Sequence, residues 1–521
     1  MCPLMVFAAE KEYVPGMYAT FWSLVPPVVA IVLALITKEV YSSLFIGIVV
    51  GGLFYSGFSF EGTFNHVLNE GIIAVLSDSY NVGILVFLVV LGVMVCLMNK
   101  TGGSAAFGLW AEEHIKSRVG AQLATVALGV LIFIDDYFNC LTVGSVMRPI
   151  TDKHHVSRAK LAYLIDATAA PVCIIAPISS WAAAVTGFVP GEDGFSVFIR
   201  AIPYNFYALL TIIMMIGITL MKVDYGPMRK HEDNAILRGD IYTTPDRPYA
   251  DAAKELTEGK GKVIDLALPI VILIVLCTAG MLYSGGFFSG AGFIEAFSQS
   301  DASVGLSLGS LFALIITIIF YLLRRVLSFT DCMGCVPDGF KAMVPAILIL
   351  TFAWTLKAMT DSLGAAPFVA GIMESSAAGL MNFLPAIIFL IGCFLAFATG
   401  TSWGTFGVLI PIVVVAFAGT DETMMIISIS ACMAGAVCGD HCSPISDTTI
   451  MASAGAQCNH INHVNTQLPY AITVAAVSFV SYIIAGFVKS VVALPIAIAL
   501  MVVMLLVMRK IFGREKAESE A

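Results

Sequence analysis

The sequence predicts an all-α polytopic membrane protein with about 11 transmembrane helices, two re-entrant hairpins, and inverted-topology repeats that contain broken helices. Three observations predict this class: an apolar composition, long uncharged runs, and motifs that occur twice. Of the 521 residues, 59% are hydrophobic and 12% are charged, whereas soluble domains average roughly 45–50% and about 25%. A soluble chain of this length would need polar surfaces on several domains, so this composition excludes a soluble protein.

Uncharged apolar runs indicate the positions of the membrane spans. Residues 304–323 and 491–508, for example, each suit a hydrocarbon layer about 30 Å thick, which requires about 20 helical residues. Bounded by charged and turn residues, the predicted spans lie near 20–37, 40–57, 81–99, 161–188, 198–221, 263–283, 303–323, 342–358, 424–456, 469–489 and 491–508.

Two further apolar stretches, 119–150 and 383–418, are too long for one span, and a polar cluster interrupts each about midway. The first cluster is 135–139 (DDYFN) and the second is 399–404 (TGTSWG). Non-helical backbone at membrane depth is tolerated only where protein or water satisfies its polar groups. We therefore predict that both stretches are re-entrant hairpins.

Lysine and arginine residues predict the orientation in the membrane, because cytoplasmic loops are enriched in them. Basic residues flank the first hairpin and also end the chain. They are Lys116, Arg118, Arg148, Lys153, Arg158, Lys160, Arg509, Lys510, Arg514 and Lys516. We expect a multi-pass protein of the cell inner (cytoplasmic) membrane, with the N-terminus outside and the C-terminus in the cytoplasm.

The chain divides into five segments on this basis. They are an N-terminal segment (1–19), a first inverted repeat (20–222), a cytoplasmic loop (223–262), a second inverted repeat (263–489), and a C-terminal helix with its tail (490–521).

The evidence for a repeat is that similar motifs recur at a nearly constant distance. Residues 131–150 read LIFIDDYFNCLTVGSVMRPI, and 393–412 read CFLAFATGTSWGTFGVLIPI, an offset of 262 residues. Farther on, PVCIIAPISSW (171–181) and AVCGDHCSPISD (436–447) share a Pro-Ile-Ser triplet. Basic residues follow the first hairpin, whereas 412–423 contains acidic residues and no basic one. The two copies therefore point in opposite directions, as in many secondary transporters, which bind their substrates where the repeats meet.

Acidic residues inside a membrane cost about 2.5–3.5 kcal/mol on insertion scales, so they are functional candidates. The hairpin tips and broken spans contain several, together with hydroxyl, amide and imidazole groups. This oxygen-rich set, with few lysine or arginine side chains among it, is typical of a site for a hard cation such as sodium. The predicted ion-binding residues are Asp135, Asp136, Asn139, Asp166, Thr168, Thr401, Ser402, Asp440, His441, Ser446 and Asp447.

A buried carboxyl group, or one near a second carboxylate, keeps a proton more readily. Such a group binds either a proton or a sodium ion, and competition between them is sufficient for exchange. We predict that Asp136 and Asp440 carry the proton. The chain is then a secondary transporter rather than an enzyme, with no cofactor besides the transported Na+ and H+. The cysteines and histidines of 438–463 lack the regular spacing of a zinc site, and neither zinc nor a nucleic acid partner is expected.

Several of these residues have simpler explanations. Asp135 and Asp136 could cap a helix at a loop, and Asp166 and Asp447 could cap helices beside the breaks in their spans. Capping does not exclude ion binding, so both interpretations stay open. Lys357 lies near the end of a span, where a side chain that extends to the interface is commoner than an intramembrane counter-ion.

Three motifs resemble the NhaC family of sodium/proton antiporters, which is grouped within the ion transporter superfamily. They are DDYFNCLTVGSVMRPITDKHHVSRAKLAYLIDATAAPVCIIAPISSW (135–181), GTSWGTFGVLIPI (400–412) and GDHCSPISDTTIMAS (439–453). The resemblance extends over most of the chain, from about residue 20 to 490.

The resemblance implies inverted repeats, two re-entrant hairpins, two broken helices and a homodimer. It also implies one sodium site between the Asp136–Asn139 tip and the break near Thr168. A second would lie between the tip at Thr401 and the break at 440–446. The family includes members that move malate and lactate, or amino acids, with sodium. Coupled transport of a small organic acid or amino acid is therefore the alternative function.

Overall fold

The computed structural model describes most of the chain between residues 13 and 513. The described residues are 13–37, 39–103, 106–107, 110, 114–133, 136–177, 179, 181, 185, 189, 194–247, 261–365, 367–368, 371, 381–417 and 421–513. Every regular element within these ranges is helical. Asp135, one of the predicted ion-binding residues, lies outside them.

The first half of the chain forms twelve described α-helices. They are α1 Val25–Thr37, α2 Val40–Tyr55, α3 Phe60–Asn65, α4 Ala74–Ser77, α5 Ser79–Lys100, α6 Arg118–Leu131, α7 Asp136–Lys153, α8 Arg158–Thr168, α9 Ala170–Cys173, α10 Gly194–Ala201, α11 Phe206–Met221 and α12 Pro227–Arg238. A π-helical stretch, His66–Ile73, joins α3 to α4.

The second half forms ten more. They are α13 Ile264–Ser284, α14 Phe293–Ser298, α15 Ala302–Leu323, α16 Phe329–Ser362, α17 Leu384–Thr399, α18 Ser402–Phe417, α19 Glu422–Cys442, α20 Asp447–Ala456, α21 His460–Val488 and α22 Ala493–Phe512. Short 3-10 turns precede α1, α11 and α17 and follow α13.

Seven helices in the described part of the chain are long and apolar enough to cross a membrane. The number rises to nine if two bent pairs each count as one span: Ser196–Tyr204 with Phe206–Met221 (48°), and Phe329–Val344 with Ile347–Ser362 (44°). The chain is therefore a multi-pass membrane protein. Since α1, α2, α6 and α18 are apolar but shorter, the count of 11 spans stays a prediction.

Both predicted hairpins are interrupted where the sequence changes from apolar to polar. In the first, α6 ends at Leu131 and α7 begins at Asp136. In the second, α17 ends at Thr399 and α18 begins at Ser402. Gly400 at this second tip has φ +67°, a left-handed conformation that glycine adopts without a steric penalty.

Both predicted helix breaks are also present. Helix α8 ends at Thr168, and Ala169 (φ −82°, ψ −97°) separates it from the single turn of α9. Helix α19 ends at Cys442, and the residues up to Ser446 are non-helical before α20 begins. Pro444 lies in this second break, where its missing N–H removes a hydrogen bond of the helix ladder.

The two predicted repeats interlock where α7, from the first, packs against α20, from the second. The contact is a close approach of two backbones, because a Cβ atom on Gly144 would lie 2.4 Å from the carbonyl carbon of Gly455. Helix α20 also packs against α8 and α16. The start of α20 therefore lies beside residues of the first hairpin.

Candidate ion-binding cavity

A cavity of about 620 Å³ lies where the two hairpin tips meet the second helix break. Its inner end is lined by side chains from both tips and from the start of α20. Its outer end is lined by residues near the ends of α5, α15 and α16. The acidic lining residues are Glu70, Asp78, Asp136, Asp301, Asp361, Asp440 and Asp447.

Asp136 occupies the start of α7 and is 3% exposed. Its Oδ1 accepts a hydrogen bond from Trp181 Nε1 at 3.0 Å. Its Oδ2 lies 3.3 Å from the Thr448 hydroxyl. This carboxyl group of the first hairpin is therefore held by one residue of its own repeat and one of the other.

Asp440 lies in the last turn of α19 and is 2% exposed. Its Oδ2 accepts a hydrogen bond from the Ser402 hydroxyl at 2.9 Å and lies 3.4 Å from the Thr448 hydroxyl. Thr448 therefore lies between two carboxyl groups, and its hydroxyl has a single hydrogen to donate. It can donate to Asp136 or to Asp440 but not to both at once, while Trp181 and Ser402 supply each carboxyl group with a second donor.

Asp447 forms the third carboxyl group at the inner end. Its Oδ2 accepts a hydrogen bond from Tyr137 of the first hairpin at 2.5 Å. Its Oδ1 accepts one from the backbone N–H of Thr448 at 3.0 Å. The N-cap of α20 is instead Ser446, whose hydroxyl accepts from the backbone N–H of Thr449. Asp447 is therefore placed to position Tyr137 and Thr448.

Asn139 and Thr168 come together as the family resemblance implied, but outside the cavity lining. The Asn139 Nδ2 atom lies within hydrogen-bond distance of the carbonyls of Gly129 (2.6 Å), Ile132 (2.8 Å) and Thr168 (3.1 Å). This amide therefore connects the first hairpin tip to the first helix break.

Asp166 and His441 lie in a separate buried network. Asp166 Oδ2 accepts hydrogen bonds from His463 Nε2 (3.1 Å) and Gln467 Nε2 (2.7 Å). His441 Nδ1 lies 2.8 Å from the Tyr207 hydroxyl. Sequence reasoning considered His463 only as a zinc ligand, and nothing in the spacing indicated its partnership with Asp166.

Thr401 and Ser402 both line the cavity, as expected for the second hairpin tip. Lys357 lines it as well, where its ammonium group lies 2.9 Å from Asp361. Both partners are partly exposed. This pair places a cationic side chain next to the outer entrance.

Among the described residues, no three His, Cys, Asp or Glu side chains come together in an arrangement that could hold a metal ion. A cation bound at the inner end would therefore need hydroxyl oxygens besides the carboxylates. Ser402, Thr448 and Thr401 supply such oxygens there, and sodium accepts neutral oxygen ligands of this kind.

An all-helical membrane protein with carboxyl groups buried between two interrupted hairpins is a secondary transporter in its architecture. The family model described as the Na+/H+ antiporter family matches residues 172–487. The chain belongs to this family.

Among its relatives, an uncharacterized protein of Haemophilus influenzae is 38% identical over 489 residues, which cover 91% of this chain and 92% of that protein. The malate-2H(+)/Na(+)-lactate antiporter of Bacillus subtilis is 27% identical over 169 residues, 32% of this chain and 35% of the relative. The solved structure of Neisseria gonorrhoeae MtrF, described with a class of antimetabolite efflux pumps, covers 89% of this chain and 94% of its own, with a TM-score of 0.34 and 14% identity.

Proposed function

We propose that this protein exchanges sodium for protons across the cytoplasmic membrane, and that Asp136 and Asp440 bind the ions in turn. The observation that carries the proposal is the Thr448 hydroxyl, which lies 3.3 Å from one carboxyl group and 3.4 Å from the other. The single hydrogen of this hydroxyl can serve only one of the two carboxylates at a time, so its contact with the other brings two oxygens together without a hydrogen while both groups are ionised.

A proton on either carboxyl group resolves this conflict, because the protonated group donates to Thr448 and the hydroxyl donates to the other carboxylate. A sodium ion resolves it differently, because the hydroxyl oxygen can face the cation. Ser402 and Thr448 would then supply neutral oxygens beside the Asp136 and Asp440 carboxylates. The same pair of groups therefore suits a proton or a sodium ion, which is the requirement for exchange.

The lining of the cavity supports a cation as the cargo. Carboxylates line its outer end as well as its inner end, and their field attracts cations from solution. By the positive-inside rule this end faces the outside. We also propose a homodimer, as the family resemblance implies.

The test is proton flux in liposomes that contain the purified protein and a pH-sensitive dye. Sodium or lithium added outside the liposomes should enter in exchange for protons, so protons should leave the lumen and the lumen should become more alkaline. We expect this response over the range from about pH 6 to 9, where buried carboxyl groups titrate. Absence of a dye response to either ion across this range would contradict the proposal.

A second candidate function is sodium-coupled transport of a small organic acid or amino acid. The observation that favours it is the cavity volume of about 620 Å³, which lies in the range of small-molecule pockets, about 300–1,000 Å³. Lys357 and the aromatic rings of Trp354 and Trp403 also line it. These groups suit the carboxylate and the apolar part of such a solute.

Labelled malate, lactate and amino acids distinguish the two candidates. Uptake of any of them that depends on a sodium gradient would establish the second function. Replacement of Lys357 by Met, which keeps the length of the side chain, should then weaken uptake without removing sodium binding. Proton flux without uptake of any of these solutes would leave sodium/proton exchange alone.

A further inference from the structure

The segment 223–247 forms a strap across the end of the molecule opposite the cavity. It follows α11 and contains α12. Helix α6 begins under this strap at Arg118 and ends near the hairpin tip that lines the cavity. With 14 residues, α6 separates the two ends by about 21 Å at 1.5 Å per residue.

Glu232 joins the strap to two core helices. Its side chain is fully buried and pairs with Arg118, the first residue of α6. It also accepts a hydrogen bond from the backbone N–H of Ser157 at 2.9 Å. Ser157 in turn is the N-cap of α8, because its hydroxyl accepts from the backbone N–H of Lys160. One carboxylate of the strap thus holds the starts of α6 and α8 together.

Asp224 joins the strap to a third helix. Its Oδ1 lies 2.7 Å from the ammonium group of Lys160 and accepts a hydrogen bond from the Tyr470 hydroxyl at 3.0 Å. Lys160 belongs to α8 and Tyr470 to α21. Lys160 is 1% exposed and Asp224 7%, so this ion pair is shielded from water.

The far end of the strap repeats the connection to the same helices. Asn462 Nδ2 of α21 donates to the Thr244 hydroxyl at 2.6 Å. The backbone N–H of Arg158 donates to the carbonyl of Ile241 at 2.9 Å. Asn459 contacts the Asp246 carboxylate. The strap therefore fixes α8 and α21 to each other from both of its ends, and Glu232 between them adds α6.

These three helices extend between the strap end and the region of the ion-binding carboxyl groups. Helix α6 belongs to the hairpin whose tip includes Asp136, and α21 packs against α19, which carries Asp440. A transporter that exposes one site alternately to each side must open a passage to the strap end when the cavity closes. The helices cannot separate while the strap holds their ends.

The strap contacts combine apolar and polar groups. Val223 and Tyr225 are buried in the core, and the Tyr225 ring packs against Tyr470 with the centroids 4.6 Å apart. These apolar contacts oppose exposure to water. The contacts of Glu232 and Asp224 are instead hydrogen bonds and ion pairs, which exchange protein partners for water at a small net change in free energy. A buried ion pair also gains hydration when it is exposed, so these polar contacts suit repeated opening.

We propose that the 223–247 strap is a gate that closes the basic end of the molecule while the cavity is open, and releases α6, α8 and α21 in the alternate state. This inference rests on the proposed exchange function. Its test is a reversible block: Thr244→Cys with Asn462→Cys, joined in the full-length protein by a short, reducible bis-methanethiosulfonate crosslinker.

Crosslinking should stop sodium-driven proton flux, a reductant should restore it, and sodium binding should persist in the crosslinked protein. The matched control is Asn234→Cys with Thr243→Cys. These two side chains also form a hydrogen bond, at 3.3 Å, but both belong to the strap. Crosslinking this control pair should leave proton flux unchanged, and the wild-type chain treated with the reagent corrects for its native cysteines.

Full proton flux through the crosslinked Thr244–Asn462 variant would overturn the gate. Loss of flux in the control pair as well would also overturn it, because motion of the strap relative to the core would then not be the decisive event. Hydrogen exchange of residues 155–161 gives a readout that does not depend on the cargo, and crosslinking should slow it. If wild-type protein shows no sodium/proton exchange but the crosslink still slows hydrogen exchange of residues 155–161, the proposed function fails and the gate stands.

Discussion

At the scale of single residues, Thr448 links two carboxyl groups that belong to different repeats. Its neighbour Thr449 is equally buried, yet in the described part of the chain the Thr449 hydroxyl has no hydrogen-bond partner. The two threonines are adjacent in one helix and have the same shape. They therefore separate the effect of the shared hydroxyl from the effect of packing.

We expect Thr448→Val to reduce sodium/proton exchange about tenfold or more, because the hydroxyl that serves both carboxyl groups is lost. Thr449→Val should leave exchange unchanged and preserve or raise the melting temperature, since an unpaired buried hydroxyl is replaced by a methyl group. Proton flux in liposomes and thermal unfolding in detergent measure the two effects. Equal activity in both variants would contradict the role of Thr448.

We expect Asp136→Asn and Asp440→Asn each to reduce sodium-dependent transport about a hundredfold or more, because an amide neither binds sodium as an anion nor takes up the proton. Expression and thermal stability should change little or rise, since a buried carboxylate is costly. Sodium affinity is measured by isotope binding to the purified variants. Wild-type affinity in both would contradict the assignment, whatever happened to stability.

At the scale of elements, glycines set how closely the helices approach. Gly439 sits in a broken span, but it is helical, and a Cβ atom there would lie 2.1 Å from the carbonyl oxygen of Cys393. It therefore permits the close packing of α19 on α17 rather than the break, which lies at 443–446. Gly144 and Gly455 allow the same closeness between α7 and α20.

We expect Gly144→Ala to destabilise the protein by about 1–3 kcal/mol, since its methyl group would overlap the backbone of α20. Gly334 offers the comparison: a Cβ atom there would lie 3.8 Å from the nearest atom, Lys100 Nζ. Gly334→Ala should be neutral or stabilising by up to about 1 kcal/mol, because alanine favours helix. Thermal unfolding of both variants in detergent gives the comparison, and equal melting temperatures would contradict the close-contact argument.

The strap element also carries a pH dependence that can be tested. Burial, reinforced by Lys230, lowers the pKa of His231 from 6.5 to about 4. The docked strap thus favours neutral His231. Docking should be unaffected above pH 6.5 and should weaken progressively as the pH falls from 6.5 towards 4.

Hydrogen exchange of α12 measures this docking as a function of pH. His231→Gln cannot acquire a charge, so its exchange should lose the component that wild type gains as the pH falls below 6.5. An identical pH profile in wild type and variant would show that His231 is not responsible.

At the scale of the whole molecule, the interrupted architecture could be predicted because its signals are local. Polar residues within apolar runs predicted both hairpin tips, and Pro444 lies in the second helix break. Helices α1 and α2 could also be predicted, because each lies in an apolar run of the sequence. The number of spans could not be predicted from sequence, since half-helices and bent helices resemble complete spans in hydropathy.

The sequence predicts ion-binding residues at the hairpin tips and the helix breaks, and the tips and the second break supply most of the inner cavity lining; ion binding by these residues stays a prediction. The contacts between repeats could not be predicted, since Asp136 and Thr448 are 312 residues apart and no local pattern records such a pairing. In the sequence, Asp166 and Asp136 are both acidic residues in apolar stretches of the first repeat, and both were predicted to bind an ion. Only the fold shows that its carboxylate lies instead against His463 and Gln467.

The hydrogen bond from Trp181 to Asp136 makes the intrinsic fluorescence of Trp181 sensitive to ion binding at Asp136. Trp181 is fully buried, and its ring packs edge-on against Trp403, with the centroids 5.7 Å apart. Of the five tryptophans in the chain, Trp181, Trp354 and Trp403 line the cavity.

A cation that binds at Asp136 changes the electric field across the Trp181 indole, and with it the energy of the indole's excited state. Sodium titration should therefore shift the intrinsic fluorescence of unlabelled protein, whereas Trp181→Phe should remove most of this shift and still bind isotopic sodium. An unchanged shift in that variant would assign the signal to Trp354 or Trp403. Ion occupancy could then be read as emitted light in stopped-flow mixing, before any ion has crossed a membrane.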